Sequence, residues 1–387
     1  MRQRPIVLVA VRYYLPGFRS GGPVRSLANL IERLGDVYDF RVVCLDRDFL
    51  QTGRYEDIGA GDWQVRGKAA VLYVGPGTVG FRRWRDILQY ISPQLVYLNS
   101  FLDPHFSIVP LIVSGLGAKT PVLVAPRGEL SPGALTLKRI KKRCYFLFAS
   151  IVGLYKHVYW HACSRAEVDD ILKQFPGAGR NIALATNLST VASASALPAR
   201  KEAGRLRIVF LSRIAPKKNL LAAIALVGRL GFPVTFDIWG PIDDPAYWLK
   251  CQEAIGRCPA NVVLSYRGEC TNERVPEVLG AADVFYLPTL GENFGHAIFE
   301  ALSCGLPVVI SDQTPWRELQ KAGVGADIPL LDEPGFAQAL SAYAAMDEGA
   351  FSEVRENCRR FARRWLEDNE ATADYHRMFN MAMRLGQ

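Results

Sequence analysis

Short apolar runs punctuate the first half of the chain at Ile6–Val11, Phe40–Leu45, Val71–Val74, Leu95–Leu98, Pro121–Ala125 and Val158–Ala162. They are continuous and rich in β-branched residues, the pattern of strands buried on both faces of a parallel sheet. The first run ends in a loop rich in Gly and Pro. Residues 23–34 (PVRSLANLIERL) then carry helical spacing, so the chain opens as a βαβ unit. After Asn187 the character changes: residues 188–204, LSTVASASALPARKEAG, are small and polar and read as a linker. The pattern then restarts. Arg207–Leu211 reads as a strand, SRIAPKKN as a loop and Leu220–Leu230 as a helix, with further strands at Thr235–Trp239, Val262–Tyr266, Val284–Leu287 and Pro307–Ser311.

The predicted fold class is therefore α/β, with two Rossmann-like doubly wound domains facing a central cleft. Their boundaries fall at 1–190, a linker at 191–204, and 205–365, and a C-terminal helix at 366–387 packs back on the first domain. A length of 387 residues suits two domains, and 49% hydrophobic with 22% charged residues suffices for two cores. The formal net charge of +8 fits anionic partners without ranking them. None of the eight cysteines forms a C-x2-C pair, which favours free thiols in a reducing cytoplasm. The N-terminus lacks the pattern of a signal peptide, and no apolar stretch of about 18 residues predicts a spanning helix.

Chemistry concentrates at three places. The densest is Thr289–Val309, TLGENFGHAIFEALSCGLPVV, where Glu292 lies in a loop and Glu300 in the helix that starts near Gly295. Such a loop aims backbone N–H groups and a helix N-terminus at an anion. The second is SRIAPKKN, where Arg213 and Lys218 follow a strand; two cations at this spacing suit a diphosphate. The third is RSGGPVRS, whose Gly21 and Gly22 open a helix and let a ligand approach the backbone, though a plain turn explains them equally well. Neither G-x-G-x-x-G nor G-x-x-x-x-G-K-[ST] is present.

SRIAPKKN, GENFGHAIFEALSCGLPVVISD and the SGGP loop resemble family 4 of the retaining glycosyltransferases, as do APRGELSPGALTLKRIKK and the ATN near 187. More narrowly they resemble bacterial members that build exopolysaccharide, capsule or O-antigen, and the resemblance runs from about residue 6 to 380. It implies the GT-B fold and transfer of a hexose-type sugar from a nucleotide sugar, UDP- or GDP-linked, to a glycan or polyprenyl-diphosphate-linked acceptor. It also implies roles for matching positions. Glu300 would bind ribose hydroxyls, and Glu292 with the backbone of Asn293, Phe294 and Gly295 would hold the donor sugar and pyrophosphate. Arg213 and Lys218 would stabilise the diphosphate leaving group, while Arg267 and Gly268 would border the base. No cofactor and no metal are implied, and the D-x-D at Asp46-Arg47-Asp48 lies away from the donor signature. Many relatives carry a histidine where this chain has Asn99, and His105 lies six residues on. No histidine catalyst is assigned, since a loop or helix-face histidine is more often structural, and the resemblance implies retention guided by the leaving phosphate oxygen.

Lys138, Arg139, Lys141, Lys142 and Arg143 lead into CYFLFASIVGLY. This stretch reads either as an interfacial helix on anionic membrane or as a solvated face running into a core helix. A cytoplasmic enzyme, peripheral on the inner membrane face, is the corresponding expectation. Two rival functions are a non-hydrolysing sugar-nucleotide 2-epimerase, disfavoured by only five histidines, and a degenerate nucleotide-binding partner subunit. Nucleic-acid binding has no recognisable motif behind it.

Overall fold

The computed structural model describes residues 4–56, 58–59, 61–116, 120–136, 139–189, 199–368 and 370–384, without the side chains at 133, 136 and 139. The chain forms two compact units, Met1–Leu188 with Glu370–Gln387, and Ser189–Asn369.

The first unit is built on strands β1 (Ile6–Ala10), β2 (Asp39–Leu45), β3 (Trp63–Arg66), β4 (Ala69–Val74), β5 (Leu95–Leu98), β6 (Val122–Val124), β7 (Tyr159–Ala162) and β8 (Ile182–Leu184). Their order is β3-β4-β2-β1-β5-β6-β7-β8, and every pairing is parallel except β3 with β4. The continuous apolar runs have their physical cause here. On β1, Val7 and Val9 enter one core while Leu8 and Ala10 enter the core on the opposite face. The helix Ala371–Arg384 closes the first of these cores with Ala371, Tyr375, Met378, Phe379 and Ala382, an i, i+4, i+7, i+8, i+11 stripe. Burying Phe379 alone stabilises this docking by about 2 kcal/mol.

The second unit carries β9 (Leu206–Leu211), β10 (Val234–Trp239), β11 (Val262–Gly268), β12 (Val284–Leu287), β13 (Val308–Ser311) and β14 (Gly325–Ile328). The order is β11-β10-β9-β12-β13-β14, all parallel. Strand order reverses between β9 and β12, so the loops leaving these neighbours diverge and open a crevice at the C-terminal edge.

Several elements differ from the sequence reading. Strands β3, β8 and β14 were not foreseen. The expected C-terminal helix is two helices, Glu348–Asp368 and Ala371–Arg384. Most of the linker at 191–204 lies outside the described residues, and the part that is described is pinned to the second unit. Ala199 N–H donates to the Gly280 carbonyl and Gly204 N–H to that of Ala344. Lys201, a charged side chain in a polar stretch, is 3% exposed because its Nζ donates to the carbonyls of Glu202 and Arg205 at 2.5 and 2.6 Å.

Candidate functional site

In the second unit the loops after β9 and β12 interlock at the switch point. Leu290 N–H and the Thr289 hydroxyl both donate to the Lys217 carbonyl, and Asn219 Nδ2 donates to that of Pro288. Asn219 takes φ 59, which ends the short 3-10 turn Pro216–Lys218 and starts the helix Leu220–Val227. This backbone frame places Lys218 against Glu292, whose side chains are 13% and 14% exposed and form an ion pair. Two residues the sequence placed in separate roles are therefore direct partners.

Arg213 lies on the same β9 loop and pairs with Asp243, Nη1 to Oδ2 at 2.7 Å. Asp243 was missed by sequence reasoning. It sits in the loop after β10, where Asp243 and Asp244 N–H groups hold the Ile214 carbonyl. The two loops pass so closely that a Cβ at Gly240, φ 140, would lie 1.9 Å from the Ser212 carbonyl oxygen. Lys217 is a third cation here; burial, and then the neighbouring Lys218 ammonium, hold it below its ordinary pKa. Three cations and two carboxylates thus meet at one sheet edge, with the charge that favours a polyanion already oriented.

The loop Glu292–Gly295 runs into the helix His296–Ser303, with Gly295 at φ 80 as its N-cap. The Phe294 ring is buried among Phe299, Trp316 and Trp365, and its carbonyl accepts from Trp316 Nε1. The Phe294 side chain is therefore taken up by packing. Glu292 N–H donates to the Gln313 carbonyl, which ties the loop to the end of β13. Glu300 is half-buried in the helix, and its charge reaches Cys270, a thiol that burial raises to about 11. Cys270, two residues beyond Gly268, is thereby a neighbour of Glu300. Arg267 itself is half exposed and pairs with Asp237 at 2.8 Å, and Gly268, φ 83, accepts from Gly240 N–H.

Gly21 and Gly22 belong to the first unit. Gly21, φ 70, caps the helix Gly22–Leu34, and a Cβ there would meet nothing within 4 Å. On that unit's C-terminal edge a buried network gathers around Arg127, φ 54. Its guanidinium donates to Asn99 Oδ1 and Asn187 Oδ1 at 2.6 Å each, to the Tyr97 hydroxyl at 2.8 Å and to Cys163 Sγ at 2.9 Å. The Tyr97 hydroxyl also meets His161 Nδ1 at 2.7 Å, and burial, then the Arg127 charge, push that imidazole down to about 3. Asn99 is thus fixed by an arginine, while His105 sits on the surface with Nδ1 at the Val79 carbonyl. The carboxylates of the D-x-D are engaged: Asp46 pairs with Arg47 and Arg54, and Asp48 accepts from the N–H groups of Phe18, Arg19 and Phe49.

Residues 205–345 match the family described as glycosyl transferases group 1. The chain is 30% identical over 141 residues to the O-antigen chain mannosyltransferase B of Escherichia coli, covering 35% of each protein. It is 29% identical over 160 residues to a phosphatidyl-myo-inositol mannosyltransferase of Mycolicibacterium smegmatis, covering 40% of each. The chain thus spans less than half the length of the curated relatives it matches. Among solved structures it is similar to Anabaena Alr3699/HepE in complex with UDP-glucose, over 97% of this chain and 98% of that one, with TM-score 0.68 and 15% identity. It is also similar to WaaG, a glycosyltransferase involved in lipopolysaccharide biosynthesis, over 95% and 98% of the two chains, with TM-score 0.63 and 14% identity. These likenesses show the GT-B fold, two Rossmann-like α/β domains.

Proposed function

We propose that this chain is a retaining, metal-independent glycosyltransferase of family 4, which passes a hexose-type sugar from a UDP- or GDP-sugar to a glycan or polyprenyl-diphosphate-linked acceptor in bacterial surface polysaccharide synthesis. The observation that carries the reading is the charge constellation at the switch point, where Arg213 and Lys218 lie on one loop and Glu292 on the next. The group 1 match covers these same residues. The donor diphosphate would take the place that Asp243 and Glu292 occupy beside the two cations. The acceptor oxygen then bonds to the sugar's anomeric carbon as the bond to the diphosphate oxygen breaks, and the acceptor proton passes to that departing phosphate. Arg213 and Lys218 stabilise the charge that accumulates on it, in the manner of a preorganised anion hole. Glu300, on the helix beyond the loop, holds the ribose. Binding tests this directly: a nucleotide or nucleotide sugar should titrate the wild type in a calorimeter, and Glu300→Ala should lose most of that affinity.

The place of work we propose is the inner face of the cytoplasmic membrane. The helix Arg139–Ile151 turns Tyr145, Phe146 and Ala149 into the core but leaves Ile140, Leu147, Phe148 and Ile151 between 57% and 79% exposed. Their i, i+7, i+8, i+11 spacing makes one apolar stripe, flanked by exposed Lys141 and Arg143, which suits an anionic lipid surface. Lys138 and the Arg139 side chain lie outside the described residues. Among the described residues no helix is long and apolar enough to cross a membrane. The protein should float with phosphatidylglycerol-containing vesicles, each cation contributing about 1 kcal/mol, and Phe148→Ser with Ile151→Ser should remove it. Equal flotation of that double variant would contradict the assignment.

A further inference from the structure

The cations at the switch point of the second unit are not equivalent. Lys218 is paired with Glu292 and Arg213 with Asp243, whereas among the described residues the Lys217 ammonium has neither a hydrogen bond nor an ion pair. Its place is nevertheless fixed. The Lys217 carbonyl accepts from Leu290 N–H and the Thr289 hydroxyl, which ties its backbone to the loop after β12. The stem runs along that loop: a Cβ at Gly291 would meet Lys217 Cε at 3.6 Å, and Gly291 directly precedes Glu292. Lys218 and Arg213 bring like charge to the ammonium, and Glu292, the opposite charge that reaches it, is already held by Lys218. Lys217 as a whole stays exposed, so an incoming anion has access to it.

This asymmetry divides the energetics of anion binding. When a diphosphate takes the place of Asp243 and Glu292, Arg213 and Lys218 exchange one oxyanion for another. Their attraction then largely cancels between the empty and the occupied site. Lys217 gives up only water, and an anion beside it relieves its repulsion from the neighbouring cations. An unpaired ammonium therefore supplies more net binding than a paired one of the same charge.

We propose that Lys217 is the cation that sets diphosphate affinity at this site, while Arg213 and Lys218 act mainly on turnover. The proposal rests on the glycosyl-transfer reading, which supplies the diphosphate.

The test is calorimetric titration of UDP, GDP and inorganic pyrophosphate into the wild type, Lys217→Met, Lys217→Arg and Lys218→Ala. Lys217→Met should weaken binding about tenfold or more, the worth of a charged hydrogen bond. Lys217→Arg should recover at least part of that loss, and Lys218→Ala should cost less affinity than Lys217→Met. Nucleoside-diphosphate release from the matching nucleotide sugar should show the reverse order. There Lys217→Met raises KM with a much smaller fall in kcat, and Lys218→Ala chiefly lowers kcat. Lys217 is exposed, so methionine keeps the fold, and an unchanged urea midpoint checks this. Unchanged affinity in Lys217→Met, a loss that Lys217→Arg shares in full, or a greater loss in Lys218→Ala overturns the proposal. Nucleotide binding that Glu300→Ala abolishes and Lys217→Met leaves intact removes the proposal but keeps the donor reading. Pyrophosphate binding that Lys217→Met weakens, with no nucleotide bound, keeps Lys217 as the diphosphate cation and removes that reading. No binding of any ligand overturns both.

Discussion

Replacing Lys218 with alanine is expected to lower turnover by about two to three orders of magnitude, with a much smaller change in nucleotide affinity. In the proposed reaction the ammonium acts mostly on charge that develops as the diphosphate departs, and an interaction made chiefly in the transition state is lost from turnover more than from binding. A second effect acts in the same direction. Lys218 neutralises Glu292, and both side chains are largely buried. Without the ammonium an unpaired carboxylate faces the incoming diphosphate. Glu292→Gln in the Lys218→Ala background should therefore restore part of the donor affinity but little of the rate. Arg213→Ala should behave like Lys218→Ala but less severely, because its guanidinium is 38% exposed and better screened. Nucleoside-diphosphate release, measured in excess EDTA, reads all of these. Turnover of Lys218→Ala within a few fold of wild type would remove the leaving-group role, and activity that vanishes in EDTA and returns with Mg²⁺ would remove the metal-independent reading.

Arg127→Met should destabilise the first unit by roughly 4 kcal/mol, the range for removing one member of a buried charged network. Methionine keeps most of the volume but leaves Asn99 Oδ1 without its donor and takes the charged donor from Asn187 Oδ1 and the Tyr97 hydroxyl, in a buried site. These acceptors stand at or beyond the ends of β5 and β8, so the loss loosens that edge of the sheet. Urea unfolding followed through buried Trp84 and Trp160 measures it. The same cluster sets a response to acid. His161 is held neutral with its pKa down at about 3, so between that value and the ordinary 6.5 the unfolded chain binds a proton that the folded chain does not. Stability is then complete above pH 6.5 and falls as pH drops through this window, by roughly 2 kcal/mol at pH 5. An Arg127→Met loss below about 1 kcal/mol would show that the network is not what holds this edge.

Much of this was legible in the chain because buried parallel strands have a strong signature. Ile6–Ala10 and Val308–Ser311 are apolar at every position but one and sit where the runs predicted them. The missed strands lack that signature for identifiable reasons. β3 is an antiparallel edge with Val65 79% exposed, β8 has three residues, and β14 contains Gly325 and Asp327 and pairs on one side only. The burial of Lys201 was not legible because composition marks it as solvated, while its carbonyl partners are Glu202 and Arg205 close by and Ala344 from a distant segment. In the candidate site, Arg213 and Lys218 could be found from their loop, which directly follows a strand. Asp243 could not, since it lies 30 residues from Arg213 in a turn with no periodic pattern. The apolar run after Arg143 could not reveal which of its side chains faced outward.

The central claim is that the second unit binds a nucleotide-sugar donor at its switch point, and a thermal-shift series tests it without knowledge of the acceptor. UDP, GDP, ADP, CMP and dTDP, alone and as their common sugar conjugates, would be added to the wild type and to Glu300→Ala. A ligand at one hundred times its dissociation constant adds about 2.7 kcal/mol, roughly 5–10 °C for a unit of this size. Such a rise is expected for one base, strongest with its sugar conjugate and absent in Glu300→Ala. No rise with any nucleotide, or a rise that Glu300→Ala leaves intact, would contradict it.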